Sequence, residues 1–276
     1  APLHTSRLQE KGTRPVIQEA AGEVADTVES IAKEFEEASA KWSKSYRAAS
    51  KEERAELMKS YPRPDAYRKR MWQIVDSEPR SVEGGKGLMW IAKNRPKPIE
   101  LRKALALLGT HHIVLPEIGA VCRSLRYQPV PSAEAFLRAV YEKNSLRDVK
   151  GNALYTLAKS LQQRAGFASA WRKAAKPDEY MKNMVRYFGE DLGKALEAAD
   201  PAKLNASAER YLEEVVRDFA DIGGLVKSAK GDLFEIRNLA IGKVAPNIEG
   251  EDIDGAEFST ADYRGKVVVL DFWGDW

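Results

Sequence analysis

Few side chains in this 276-residue chain have both a type and a spacing that could do chemistry. The one cysteine, Cys122, would serve as a nucleophile or redox group only if a basic neighbour stabilised its thiolate at an accessible position. It shares a single helical face with Ile118, Val121 and Leu125, while Arg123 and Arg126 point elsewhere, so it reads as a small core hydrophobe. His111 and His112 follow Gly109-Thr110 at a helix end, and adjacent histidines diverge. Without i, i+4 spacing, and with Glu117 as the nearest third ligand, they read as a helix terminus interacting with its dipole, and no metal is expected. Arg63, Arg68, Lys69 and Arg70 form a basic cluster that reads as a solvated face able to steer an acidic partner at low salt. The remaining candidates lie together in the stretch from Gly242 to Trp276.

Within it, Lys266 to Trp273 is a short apolar run rich in β-branched residues, bounded by Arg264-Gly265 and Gly274, which predicts a strand buried on both faces. Ile248 to Phe258 reads as two extended pieces around Asp254-Gly255, a strong hairpin signal. By spacing alone, Asp271, Phe272, Trp273 and Trp276 fit an ordinary strand end with core aromatics equally well. A helical crossover should follow a buried parallel strand, so the chain is expected to end inside a domain. Residues 242–276 should then lie against the helices or remain disordered, with Val267 to Trp273 presenting an unpaired, aggregation-prone edge.

The opening Gly242-Lys-Val-Ala-Pro, the Asp254-Gly255 hairpin, the turn Asp262-Tyr-Arg-Gly-Lys and the run Val-Val-Val-Leu-Asp-Phe-Trp-Gly-Asp-Trp resemble the start of a redoxin domain. That is the thioredoxin-like group of the AhpC/TSA and TlpA/ResA type. The resemblance implies that a Cys-x-x-Cys pair follows Phe-Trp-x-x-Trp directly, its first cysteine being a nucleophile with a pKa below the ~8.5 of a free thiol. The nucleophile is thus expected after Trp276, no catalytic residue within this chain, and no redox exchange by the chain as it stands.

Asp271 matches the buried acid that thioredoxins hold under the active-site disulfide, where it exchanges a proton with the second cysteine. Phe272, Trp273, Gly274, Asp275 and Trp276 match the flank of the motif. The resemblance further implies a parent thiol–disulfide oxidoreductase or peroxiredoxin-like protein, without a cofactor, whose partner is a protein disulfide or a peroxide. It places that parent outside the cytoplasm, as in a periplasm. An end at this position has two explanations: a fragment, or a UGA codon read as a stop where selenocysteine is inserted. The codon after Trp276 separates them: the selenocysteine expectation requires UGA, and a cysteine codon or an ordinary stop overturns it.

The elements that must position this stretch are helical. Charged residues make up 31% of the chain, yet 44 basic and 41 acidic side chains leave a net charge of only +3, too weak a field to imply nucleic acid. No run approaches the ~18 apolar residues of a membrane span. Ala1-Pro-Leu-His-Thr-Ser-Arg has neither the basic start nor the apolar core of a signal peptide. One cysteine excludes an internal disulfide and leaves the compartment open.

Residues 1–14 lack periodicity and are expected to be a mobile terminus. From Val16 a helix is predicted, with Val24, Val28, Ile31, Phe35, Ala38, Trp42 and Tyr46 as a narrow apolar seam, packing on its own domain or pairing with another chain. Ser50 to Glu53 is a capping box. Further helices are predicted over Asp65–Asp76, Val82–Asn94, Ile99–Leu108, Leu115–Tyr127, Ser132–Asn144 and Leu146–Arg164, with prolines in the joints. Beyond them, Phe167–Ala175 continues helical, helices open at Pro177 and Pro201, Gly223-Gly224 stops the second, and Leu225–Leu239 is the last.

The fold class is therefore mainly α: residues 15–240 form an all-α domain, either a solenoid-like stack of helical hairpins or an irregular bundle, and residues 241–276 are the first β elements of an incomplete thioredoxin-like domain. Trp42, Trp72, Trp90, Trp171, Tyr155 and Tyr180 should be mostly core. On a concave face, some would recognise an extended peptide. Hence the alternative function, a helical scaffold that binds protein or peptide.

Overall fold

A computed structural model describes residues 26–239 and 242–274. The expected mobile terminus 1–14, and the helix start between Val16 and Val24, lie outside the described residues. Helix α1 (Val28–Ala48) opens at Thr27, whose side chain accepts from the Ser30 amide, and α2 (Lys51–Leu57) opens at the Ser50–Glu53 capping box. The seam of α1 is used within the chain. Val28 and Ile31 are buried, and the Phe35 ring meets Tyr67 and Trp90 edge-on at 5.1 and 5.4 Å. Trp42 stacks on Tyr46 and donates its indole N–H to the Leu57 carbonyl at 2.7 Å.

Next come α3 (Asp65–Ser77), α4 (Val82–Lys93), α5 (Pro98–His111), α6 (Ile118–Ser124), α7 (Pro131–Lys143) and α8 (Arg147–Lys173). They are followed by α9 (Pro177–Phe188), α10 (Glu190–Glu197), α11 (Pro201–Asp218) and α12 (Gly223–Phe234), and then by a two-stranded hairpin of β1 (Glu249–Glu251) and β2 (Glu257–Ser259). Prolines 98, 131, 177 and 201 stand at the first helical turn, where the missing N–H costs nothing.

Packing follows chain order. Helix α3 packs on α4, α4 on α5 and α6, α5 on α7, α6 and α7 on α8, and α8 on α11 and α12. This neighbour-to-neighbour pattern is that of stacked helical hairpins, interrupted by α9 and α10, which pack on each other and on α8. The 27-residue α8 is the shared partner: Val149, Ala153, Leu154, Leu157, Ala158, Leu161 and Ala168 are all buried on it. At Gly151 a Cβ would stand 2.8 Å from Leu225 and 3.0 Å from Phe219, so any larger residue would have to displace these two side chains of the α11–α12 corner.

Several boundaries differ from expectation, each for a physical reason. The expected helices Leu146–Arg164 and Phe167–Ala175 are one, because Gly166 sits in α8 without breaking it. Helix α10 was not expected; it starts after Gly189, whose φ of +90° turns the chain out of α9. Gly223-Gly224 opens α12 instead of stopping α11, since Leu225 and Val226 both donate to the Ile222 carbonyl at 3.0 Å. The helix expected from Leu115 begins at Ile118 and closes in a 3₁₀ turn over Leu125–Tyr127.

The basic cluster also divides. Arg63 and Lys69 are exposed, but Arg68 is 3% exposed, donating to the Asn94 carbonyl at 3.0 Å and to Glu100 at 3.2 Å, and pairing with Asp65. It is a strut between α3 and α5, not a solvated charge. Arg70 ties α3 to α1 through Asp26 and Glu34 at 2.6 Å each.

Glu134 on α7 joins three helices. It accepts from Arg138 at 2.8 Å and from Arg164 on α8, while Arg138 also donates to the Tyr211 hydroxyl on α11 at 2.6 Å. Burial alone would raise the Glu134 pKa, but the two guanidiniums outweigh it and hold the carboxyl below its ordinary value. Because the folded value is the lower one, this stabilisation is complete above the unfolded pKa of ~4.3 and is lost as pH falls through the folded value. Glu134→Gln should therefore lower unfolding free energy by about 2 kcal/mol at pH 7, with the gap closing in denaturant titrations below pH 4. An equal gap at both pH values would contradict the assignment.

Cys122 is fully buried on α6, as its spacing predicts, and burial pushes its thiol up to about 12. Ellman's reagent at pH 8 should leave it unmodified in the folded protein and modify it at once in guanidinium; a fast native reaction would contradict this.

Candidate functional site

The stretch that carries the redoxin resemblance is built on local turns. Gly242 and Gly265 have φ of +88° and +84°. The hairpin pairs Glu249 with Ser259, Gly250 with Phe258 and Glu251 with Glu257, antiparallel. Its turn lies at the expected Asp254-Gly255, with Gly255 at φ +79°. There the Asp252 carboxylate accepts from the Asp254 and Ala256 amides, both at 2.9 Å, while Gly255 donates to the Asp252 carbonyl at 3.0 Å.

Asn247 closes the other end. Its Oδ1 accepts from Ser259 Oγ at 2.9 Å, Thr260 Oγ1 at 3.0 Å and the Ala261 amide at 2.8 Å, and its Nδ2 donates to Glu249 at 3.0 Å. Asn247 and Asp252 are not among the residues singled out by type and spacing. The available signal was an Asx residue beside a strand or turn, whose side chain is suited to bonding nearby backbone. Ser259 and Asp262 then form a capping box around the 3₁₀ turn Thr260–Tyr263, and Lys266 donates to the Tyr263 carbonyl at 3.0 Å.

Beyond that turn the geometry departs from expectation. Residues 266–274 form no strand, and their side chains are open: Val267 is 96% exposed, Val269 86% and Trp273 84%. Asp271, expected to be a buried acid, is exposed, and so is Phe272. Gly274 is half-buried. Asp275 and Trp276 lie outside the described residues. The reason is non-local. A strand buried on both faces needs a neighbour on each edge and a layer above and below, and among the described residues the sheet contains β1 and β2 alone. The side chains of Val267 to Trp273 are exposed, but in an irregular segment and not along the unpaired strand edge expected there.

The other candidates are not brought to this stretch. His112 is buried and its Nε2 lies 2.8 Å from the Pro79 carbonyl, which fixes the ring in the core, while its backbone N–H caps α5 on Leu108. Glu117 is exposed. Among the aromatics, Trp90 and Tyr155 are buried, and Trp42, Trp72, Trp171 and Tyr180 are half-buried. Lys103 sits 4.3 Å above the Trp72 ring. No described helix is long and apolar enough to cross a membrane.

Comparison with known proteins gives a short local match. Over 38 residues, 14% of the chain, it is 47% identical to the thiol-disulfide oxidoreductase ResA of Geobacillus thermodenitrificans. Identity over the same length is 47% to ResA of Geobacillus kaustophilus and 45% to ResA of Bacillus thuringiensis. The chain spans 22% of the length of each of these relatives. No family model matches the chain, and no solved structure does. Over this stretch, the chain is similar to thiol-disulfide oxidoreductases of the ResA type.

Proposed function

We propose that the chain consists of a helical domain, residues 15–240, and the N-terminal fragment of a thioredoxin-like domain, residues 241–276, and that the parent protein exchanges thiols with disulfides. The observation that carries this reading is the 47% identity to ResA over 38 residues. Two features support it: the match is about as long as the redoxin-like stretch, and the Asp-Gly hairpin forms where the resemblance needs it. This reading puts the nucleophile of the motif after Trp276, since residues 242–276 contain no cysteine.

In the complete sheet, Val267 to Trp273 becomes an internal strand, which buries Asp271 and sets Phe272 to Trp276 beside the motif. The first cysteine, as thiolate, attacks one sulfur of a protein disulfide. A mixed disulfide forms and one substrate thiolate leaves. Asp271 accepts the proton of the second cysteine, whose thiolate attacks the mixed disulfide and releases the second substrate thiolate. The redox site is left as a disulfide, and the substrate gains the two electrons. The same chemistry fits a protein exported from the cytoplasm, where substrate disulfides persist.

The test is insulin-disulfide reduction by the chain continued through its natural sequence beyond Trp276. Reduction should be abolished when the first cysteine of the motif is replaced by serine, and slowed at least about tenfold near pH 7 by Asp271→Asn. Consumption of hydrogen peroxide without insulin reduction would turn the reading to a peroxiredoxin. Neither activity would sink it and leave the helical scaffold that captures a protein or peptide.

A further inference from the structure

Between α6, α8 and the start of α12 lies a cleft of about 300 Å³ whose polar lining is rich in hydrogen-bond donors. Arg123 and Arg126 line it from α6 and the turn after it, Asn152 and Thr156 from α8, and Gly224 from the first turn of α12. Most other arginines of the helices are matched to carboxylates: Arg70 to Asp26, Arg138 and Arg164 to Glu134, Arg147 to Asp221. Among the described residues, neither Arg123 nor Arg126 forms such a pair. Arg126 donates to the Tyr155 hydroxyl at 2.7 Å and lies 5.2 Å over the Tyr155 ring. Burial and the nearby Asp232 carboxylate push that hydroxyl up to about 12, so the partner of Arg126 is neutral. Asp232 itself is held by Lys159 at 2.7 Å. Two guanidinium charges thus face one cleft whose lining contains no carboxylate, the nearest one, Asp232, being separated from Arg126 by the Tyr155 hydroxyl.

Two further features point the same way. Helix α12, of 12 residues, has no side-chain cap and no acidic residue in its first turn. Leu225 and Val226 both donate to the Ile222 carbonyl, while the amides of Gly223 and Gly224 have no acceptor among the described residues. Independently, Thr156 is 2% exposed and lines the cleft, yet its hydroxyl has no hydrogen-bond partner among the described residues. A helical threonine ordinarily satisfies its hydroxyl on the carbonyl one turn back. Here none of the described residues takes it, and the residue borders the open space.

We propose that this cleft binds the phosphate group of a small phosphomonoester, with the ester's apolar part against Ile222 and Leu225. Three sets of donors converge from three elements: guanidiniums beside α6, a buried hydroxyl on α8 and the free amides opening α12. A phosphate offers three terminal oxygens to three such sets, whereas a planar carboxylate offers two. The volume holds a ligand of phenyl phosphate size.

The test is titration of the whole protein with phenyl phosphate, inorganic phosphate and benzoate at constant ionic strength, followed by amide NMR. Phenyl phosphate should give saturable shifts at Gly223 and Gly224, and should bind more tightly than inorganic phosphate and at least about tenfold more tightly than benzoate. Arg123→Gln, a change at an exposed side chain, should weaken binding about tenfold. Gly224→Asp, which places a competing carboxylate in the first turn of α12, should abolish it without lowering the melting temperature. Thr156→Val, nearly isosteric, should weaken binding several-fold. The proposal is overturned by the absence of saturable shifts at Gly223 and Gly224, by benzoate binding equal to that of phenyl phosphate, or by binding unchanged in Arg123→Gln and Gly224→Asp.

Discussion

Burial of α8 on nearly every side is the constraint from which the helical architecture follows. Leu154, Tyr155, Thr156, Leu157 and Ala158 are consecutive and all buried, so no face of the helix is left for water over that span. A helix apolar all round must be wrapped. Helices α6 and α7 cover it from the N-terminal side of the sequence and α11 and α12 from the C-terminal side, with α9 and α10 along its later turns. The hairpins before it are then fixed in sequence, α5 against α7 and α4 against α5 and α6. The stack propagates outward from one helix that cannot be solvated.

Burial alone leaves the azimuth and register of each helix loosely specified, and ionic struts between elements narrow the choice. Arg68 joins α3 to α5 and to the end of α4, Glu134 joins α7 to α8, and Lys159 joins α8 to α12. Desolvating these groups costs free energy that their mutual attraction only partly returns, so their effect is on which arrangement forms more than on how stable it is. Helices rotated by even one position would leave Arg68 or Glu134 buried without its partner.

What could be read from the sequence was whatever neighbours within a few residues decide. Proline at the first turn, the Ser50 capping box and the 3.6-residue period located most helices to within a few residues, and the one-face spacing of Cys122 placed it in the core. Errors arose where a distant contact decides. Gly223-Gly224 reads as a stop because glycine favours helix ends, yet the position is the start of a helix closed by the Ile222 carbonyl. Arg68 reads as one of a run of charged neighbours, and nothing within four residues announces Glu100. The cleft beside α12 was invisible for the same reason: Arg126, Thr156 and Gly224 are brought together only by the packing of α6 and α12 on α8.

The C-terminal stretch separates the two kinds of information within one sequence. The hairpin needs nothing beyond itself: Asp252 and Asn247 satisfy the turn amides, Gly255 takes the left-handed position, and the strands pair in register although their side chains are largely in water. Val267 to Trp273 has the stronger strand composition and yet stays irregular, with its valines and aromatics exposed. Strand propensity in such a segment is a statement about packing between sheet neighbours, and the described residues supply none. The run from Val267 to Trp273 therefore has the composition of a strand without, among the described residues, the sheet neighbours that would give that composition a conformation.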